Sequence, residues 1–188
     1  MKRIFKIMFF IFVGVLPFIL TSCKNPHKDQ KVSIKDLDWK VELGVLNGKK
    51  YALFSFTNNS AYVIHELKIE HTPTKKLKGN KLDEFYQYFQ QEYDVPDDEM
   101  DWLEEEGYLR IDANIYEIYS DPIKPGETSE YNECVYYGMY RVLNMDYYDM
   151  FEPNTATIKY EDNGMLYTVY YDFINNSYIQ DAIVEKIN

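Results

Sequence analysis

The chain has 188 residues, with 20 Lys+Arg against 31 Asp+Glu, a formal net charge of −11 and only two cysteines. That length makes one ordinary domain. The acidic balance repels nucleic-acid phosphates and anionic lipid headgroups, which excludes nucleic acid as a partner and leaves solubility, a cationic partner or divalent cations as what it favours.

The N-terminus reads as an export signal. Lys2, Arg3 and Lys6 make a basic start, Ile4 to Leu20 is almost entirely Ile, Phe, Val, Leu and Met, and the small residues Thr21 and Ser22 precede Cys23. This is the layout of a secretory signal. The bilayer-spanning alternative is the weaker one: residues 4–20 are at the short end of the roughly 17–25 apolar residues that cross a bilayer, and Gly14 and Pro17 interrupt the run late. Leu20-Thr21-Ser22-Cys23 resembles the lipobox of bacterial lipoproteins. The resemblance implies cleavage after residue 22 and two or three lipid chains on Cys23. One chain holds a protein to a membrane only weakly, whereas two or more hold it stably. Loss of residues 1–22 removes three basic side chains and no acidic one, leaving 166 residues with a net charge near −14.

Residues 24–35 are polar and contain Pro26, so 23–35 reads as a flexible tether, with the folded part starting near Asp36. Alternation with a period of two follows. Trp39, Val41, Leu43 and Val45 share one face of a first strand. Asn47-Gly48 is a hairpin signal, because a type I′ turn needs positive φ at both central residues. Ala52, Phe54 and Phe56 share a face of the second strand, Asn58-Asn59-Ser60 turns the chain, and Val63, His65, Leu67, Ile69 and His71 alternate against Ile64, Glu66, Lys68 and Glu70.

Residues 75–107 break this pattern. Leu82, Phe85, Tyr86, Phe89 and Tyr93 recur at helical spacing opposite Asp83, Glu84, Gln87, Gln90 and Gln91, which predicts an amphipathic helix of about three turns. Pro96 stops it. Asp97 or Asp98 caps a second short helix carrying Met100 and Leu103, and Gly107 suits its C-terminal cap. Strands resume over 108–119 and 128–137, with turns at Asp121-Pro122 and Pro125-Gly126. Residues 140–151 read as a short helix or an ordered loop. Residues 155–161 and 165–173 form a second hairpin around Asp162-Asn163-Gly164, with Ala156, Ile158, Tyr160, Tyr167, Val169, Tyr171 and Phe173 facing inward. The tail reads as one or two helical turns around Ile179, Ile183 and Ile187.

About seven strands separated by turn signals predict a mainly β chain, an antiparallel β-sandwich with a small helical insertion. The predicted organisation is a signal at 1–22, a tether at 23–35, the sandwich at 36–176 with its insertion at 75–107, and a C-terminal tail at 177–188. Phe54-Ser55-Phe56-Thr57-Asn58-Asn59-Ser60, the strand that runs on to Ile69, Lys124-Pro125-Gly126-Glu127-Thr128 and Tyr170-Tyr171-Asp172-Phe173 resemble Ig-like extracellular domains of Gram-positive lipoproteins, such as the FxLYD and telokin-like families. The resemblance implies an Ig-like interaction or structural module on the outer face of the cell membrane, with no catalytic residues to carry over.

The chemistry visible in the residues is sparse. All 19 tyrosines lie after the signal. Tyrosine suits a β-rich core rim, its ring buried and its hydroxyl wet; the sharper alternative is an aromatic surface for sugar or peptide. With Cys23 given to lipid, Cys134 has no disulfide partner and reads as a buried small hydrophobe. His65 and His71 are six residues apart on one strand, about 20 Å at ~3.3 Å per residue, too far to share a metal. No nucleophile elbow, P-loop, dinucleotide-binding glycine pattern or zinc spacing is present, so no catalytic residue, cofactor or metal is expected. Asp97-Asp98-Glu99-Met100-Asp101 with Glu104-Glu105-Glu106 lacks the glycine and the closing glutamate of a calcium loop, and a solvated helix face accounts for it better.

The helical insertion reads first as a lid on one open end of the sheets, using Phe85, Phe89 and Trp102. In the alternative it is a contact surface made by Tyr88, Trp102, Asp101, Glu104 and Glu105. The function expected from all this is a non-enzymatic, lipid-anchored module for an envelope protein or cell-wall glycan. A small solute-binding lipoprotein is disfavoured by the lack of βαβ units, and an envelope hydrolase by the missing motifs.

Overall fold

The computed structural model describes residues 30–73, 80–100, 111–116, 121–136 and 141–187. The protein is mainly β, with antiparallel sheets and few helices. The lipobox residues Leu20, Thr21, Ser22 and Cys23 lie outside the described residues, as do Asp101, Trp102, Leu103, Glu104, Glu105 and Gly107.

Two sheets account for the strands. In the smaller, β1 (Leu37–Leu46), β2 (Lys49–Asn58) and β5 (Asn132–Glu133) pair in the order β1-β2-β5. The larger has the order β10-β9-β8-β3-β4-β6-β7, and its strands are β3 (Val63–Pro73), β4 (Ile111–Tyr116), β6 (Val135–Tyr136), β7 (Arg141–Val142), β8 (Phe151–Asp162), β9 (Met165–Asp172) and β10 (Ser177–Tyr178). An eighth strand, β11 (Ile183–Lys186), also pairs with β9. Helix α1 (Asn80–Tyr93) follows β3.

Both hairpin turns use the expected chemistry. Asn47 and Gly48 have φ of 53° and 77°, and Asn163 and Gly164 have 51° and 73°. Asn tolerates this left-handed region through its short polar side chain, and Gly adopts it without a Cβ clash. The resulting register places Val41 opposite Phe54 and Trp39 opposite Phe56. Between the sheets, the Trp39 ring meets His71 of β3 edge-on at 6.2 Å and Phe173 at 6.1 Å. Phe54, Phe56, Ile64, Leu67, Ile69, Ala156, Ile158 and Tyr160 are buried in the core. Below α1, Phe85 and Phe89 are buried against Tyr136 and Phe151, as the insertion's apolar stripe predicts.

Four expectations change. The strand at 63–71 does not alternate cleanly: His65 is an extra residue between the Ile64–Tyr160 and Glu66–Lys159 pairs, a β-bulge. The bulge turns Ile64 into the core together with Leu67, Ile69 and His71. The tether ends earlier than expected, because Val32 and Ile34 are buried and two tyrosine hydroxyls accept backbone N–H groups, Tyr160 from Lys31 at 3.1 Å and Tyr178 from Ile34 at 3.0 Å. The tail forms β10 and β11 on the free edge of β9 instead of helical turns; the open ladder of β9 supplies the partners that a helix this short lacks. The stretch over 128–137 changes sheets, since Asn132 and Glu133 pair with β2 while Val135 and Tyr136 pair with β4. Cys134 sits at the crossing, buried, and donates its N–H to Ala52 O at 2.9 Å.

The turn after β2 is organised by Asn58, which is fully buried. Its Nδ2 donates to Tyr62 O at 2.8 Å and Ile123 O at 2.9 Å. Its Oδ1 accepts from Ser60 N at 3.0 Å and Ser60 Oγ at 2.7 Å. An amide has two donors and two acceptor sites, and all four are used. Truncation to alanine removes all four bonds at a buried site; Ile123 O keeps the Ile64 N–H and Tyr62 O the Ser60 hydroxyl, so each carbonyl loses one of its two donors. Asn58→Ala is expected to lower the unfolding free energy by about 3 kcal/mol in urea titration. Asn58→Asp, which points oxygens at both carbonyls, is expected to lower it at least as far at pH 7.

Candidate functional site

The best-furnished concavity is a cleft of about 390 Å³ between the tip of the β1–β2 hairpin, helix α1 and the segment from Val142 to Asp146. Gly48, Lys49, Lys50 and Tyr51 line it from the hairpin, Tyr88, Glu92 and Tyr93 from α1, and Asn144 and Asp146 from the third wall. The helix takes its place through its buried stripe, which turns Tyr88 and Glu92 toward the hairpin. Arg141 ties down the helix's C-terminal end: its Nη1 donates to Tyr93 O at 2.6 Å and its guanidinium lies 4.7 Å from the centre of the Tyr93 ring. A cation at a helix C-terminus faces the unpaired carbonyls and the negative end of the dipole. Tyr93 Oη donates in turn to Val142 O at 2.9 Å. On the third wall Asn144 caps the 3-10 segment Met145–Met150 by accepting from Asp146 N at 2.9 Å.

The cleft is aromatic and evenly charged. Tyr88 lies 4.6 Å from Tyr147 with the rings inclined by 32°, and meets Tyr93 edge-on. The two lysines at the mouth are each held by a carboxylate, Lys49 by Glu92 and Lys50 by Asp146, the latter at 2.8 Å. The Glu92 carboxylate keeps the Lys49 ammonium above its ordinary pKa. Two positive and two negative groups cancel at the rim, which suits a neutral polar ligand.

A second concavity, about 510 Å³, is lined by Leu37, Trp39, Asn59, Tyr171 and Phe173 among others. Its indole is engaged with Phe54, His71 and Phe173, so packing accounts for it.

Of the surface residues singled out in the sequence, Tyr88 lies in the cleft, while Trp102, Asp101, Glu104 and Glu105 fall outside the described residues. Lys49, Lys50, Glu92 and Asp146 went unrecognised as site residues. One signal for them was present: two adjacent lysines beside an Asn-Gly turn in a strongly acidic chain. Among the described residues no group of three or more His, Cys, Asp or Glu is placed to hold a metal ion. Cys134 is buried, and desolvation pushes its thiol up to about 12, which keeps it an inert thiol at neutral pH.

His71 is buried and fully bonded. Its Nδ1–H donates to Ile69 O at 3.2 Å, which fixes the neutral tautomer, and Nε2 accepts from Tyr148 Oη at 3.1 Å. Burial lowers its pKa from 6.5 to about 4. No family model, curated protein or solved structure matches the chain, so function rests on this geometry.

The His71 environment sets a pH dependence. As pH falls, the unfolded imidazole takes up its proton near pH 6.5 and the folded one only near 4. The stability that the neutral ring supports is therefore complete above pH 6.5 and declines down to pH 4, by about 3 kcal/mol. Urea titrations from pH 7 to pH 4 are expected to show this slope, and His71→Leu to flatten it.

Proposed function

We propose that this protein is a lipid-anchored, extracytoplasmic binding module, an Ig-like β-sandwich without catalysis, and that the tyrosine cleft takes a neutral glycan segment of the cell envelope. The cleft carries this reading. A pyranose ring has an apolar C–H face and a rim of hydroxyls. Tyrosine rings supply an apolar surface for the face, and the Lys49–Glu92 and Lys50–Asp146 pairs supply donors and acceptors for the rim. The cleft volume lies in the range of small-ligand sites, about 300–1,000 Å³. Both carboxylates in it are paired with lysines instead of standing bare against a substrate, which favours binding over hydrolysis.

The pairing pattern supports the Ig-like class. β1-β2-β5 and β9-β8-β3-β4 correspond to the A-B-E and G-F-C-C′ order of Ig-type sheets, and the Trp39 contacts join the two layers. Leu20-Thr21-Ser22-Cys23 supports the anchor.

A second reading has its own observation. Leu43, Val45 and Leu46 at the hairpin tip are more than half exposed, and exposed apolar residues grouped this way suit an envelope protein partner.

Retention of purified cell-wall glycan by the immobilised chain tests the first reading. Tyr88→Ala is expected to weaken retention about tenfold, the effect of losing an aromatic contact worth about 1.4 kcal/mol, and Tyr88→Phe to keep most of it. Retention indifferent to Tyr88→Ala sinks the glycan reading. An envelope protein retained by the wild type and lost in Leu46→Ser establishes the second. The anchor has a separate measurement: Cys23→Ala is expected to release the protein from membranes and end its incorporation of labelled fatty acid.

A further inference from the structure

The domain has two distinct ends. At one, the β8–β9 turn at Asp162–Met165 receives both termini of the described chain. Lys31 forms an ion pair with Asp162, its N–H donates to Tyr160 Oη, and Ile187 N donates to Gly164 O at 3.2 Å. At the other end, the 3-10 segment Met145–Met150 leads into β8, α1 follows β3, and the hairpin tip meets Glu92 and Asp146. The full length of β8, 12 residues, separates the two ends by about 36 Å at ~3.3 Å per residue.

The turn end carries exposed apolar side chains of its own, separate from Leu43, Val45 and Leu46 at the hairpin tip. Ile183, Val184 and Ile187 are 43%, 42% and 40% exposed, and β11 holds them beside the turn, with Lys186 opposite Met165. Two of the carboxylates there are engaged, Asp162 by Lys31 and Glu161 by His65, while Glu185 of β11 is exposed opposite Leu166.

Resting on the lipid-anchor reading above, we propose that the domain stands on the lipid surface through this end, with Ile183, Val184 and Ile187 at headgroup depth, and holds the tyrosine cleft outward. Chain length argues for it. Eight residue steps join Cys23 to Lys31, a reach of at most about 28 Å when fully extended. That is shorter than β8, so the inverted arrangement, with the cleft against the bilayer, is out of reach. Charge argues for it as well. Residues 24–35 carry four lysines and a single acidic residue, Asp29, in a chain of net charge −11. The basic stretch adjoins the lipid, where anionic headgroups attract it, and the acidic remainder of the chain is repelled outward. Branched aliphatic side chains with Lys31 and Lys186 at the same end match the headgroup–acyl boundary.

The test uses the full lipidated chain in vesicles of phosphatidylcholine and phosphatidylglycerol. Cys23 is blocked by lipid and Cys134 is buried, so one introduced cysteine carries an environment-sensitive fluorophore, at Ile187→Cys or at Leu46→Cys. Spin-labelled lipid is expected to remove most of the emission at position 187 and little at 46. Equal quenching at both positions, stronger quenching at 46, or quenching at neither overturns the proposal. Flotation of the same vesicles separates the two ideas. A chain that floats without quenching at 187 keeps its anchor and loses this orientation, whereas a chain that fails to float loses both. Trypsin cleavage after Lys186 gives a second readout without the label. It is expected to be slower in the vesicle-bound chain than in soluble Cys23→Ala, and equal rates count against the proposal.

Discussion

The buried amide of Asn58 is the joint on which the two sheets hang. Besides its four side-chain hydrogen bonds, its N–H donates to Glu127 O at 2.9 Å and its carbonyl accepts from Gly126 N at 2.7 Å. The next residue, Asn59, donates to Asp36 O at 2.8 Å. Asn58 thus joins the end of β2, the turn before β3 and the 121–128 segment, and its neighbour Asn59 adds the entry to β1. Buried backbone polar groups must find partners, and here the side chain serves the turn and Ile123 while the backbone of Asn58 and Asn59 serves Gly126, Glu127 and Asp36. Nothing smaller or of different polarity fills that role. The position of the β1–β2 hairpin relative to β3 follows from it, and so does the place of the hairpin tip in the cleft.

Tyrosine abundance has a physical use in this fold. A tyrosine places its ring in the core and its hydroxyl at the rim, where irregular backbone needs partners. Tyr160 and Tyr178 accept the N–H groups of the entering chain, Tyr148 donates to His71, Tyr93 closes onto Val142, and Tyr171 bonds Asn176. Phenylalanine fills the same volume without satisfying any of these groups. The cleft draws on the same supply of rings: Tyr88 and Tyr93 pack against Tyr147 and Tyr136 on one side and line open space on the other.

Much of the strand pattern was legible because both main hairpins announce themselves with Asn-Gly turns and alternate around them. The departures have local causes. The bulge at His65 reverses the facing of Val63 and Ile64, and no spacing rule reveals an inserted residue. Two-residue strands such as β5, β6 and β10 are too short for periodicity, and the change of sheet at Cys134 depends on which neighbours are free to pair. The early start of packed structure depends on Val32 and Ile34, two apolar residues in a polar stretch, and on the hydroxyls of Tyr160 and Tyr178, which bond Lys31 N and Ile34 N from more than a hundred positions away. The cleft was legible only through Tyr88, because its other walls come from segments 40 to 100 residues apart whose convergence is a tertiary fact.

The helical insertion packs as the lid weighed for it, and the contact role belongs to the proposed reading. Phe85 and Phe89 close the end of the core, and the rigidity they give α1 is what lets Tyr88, Glu92 and Tyr93 form one fixed wall. A loop in that place would lose conformational freedom on meeting a ligand, an entropic cost that a packed helix has already met in folding. The opposing wall is similarly restrained, by the Asn144 cap and by the Ala52 N–H bonded to Leu143 O. In the proposed reading, recognition by this cleft would draw on a preformed shape, and a preference for neutral ligands would follow from rim charges that already satisfy one another.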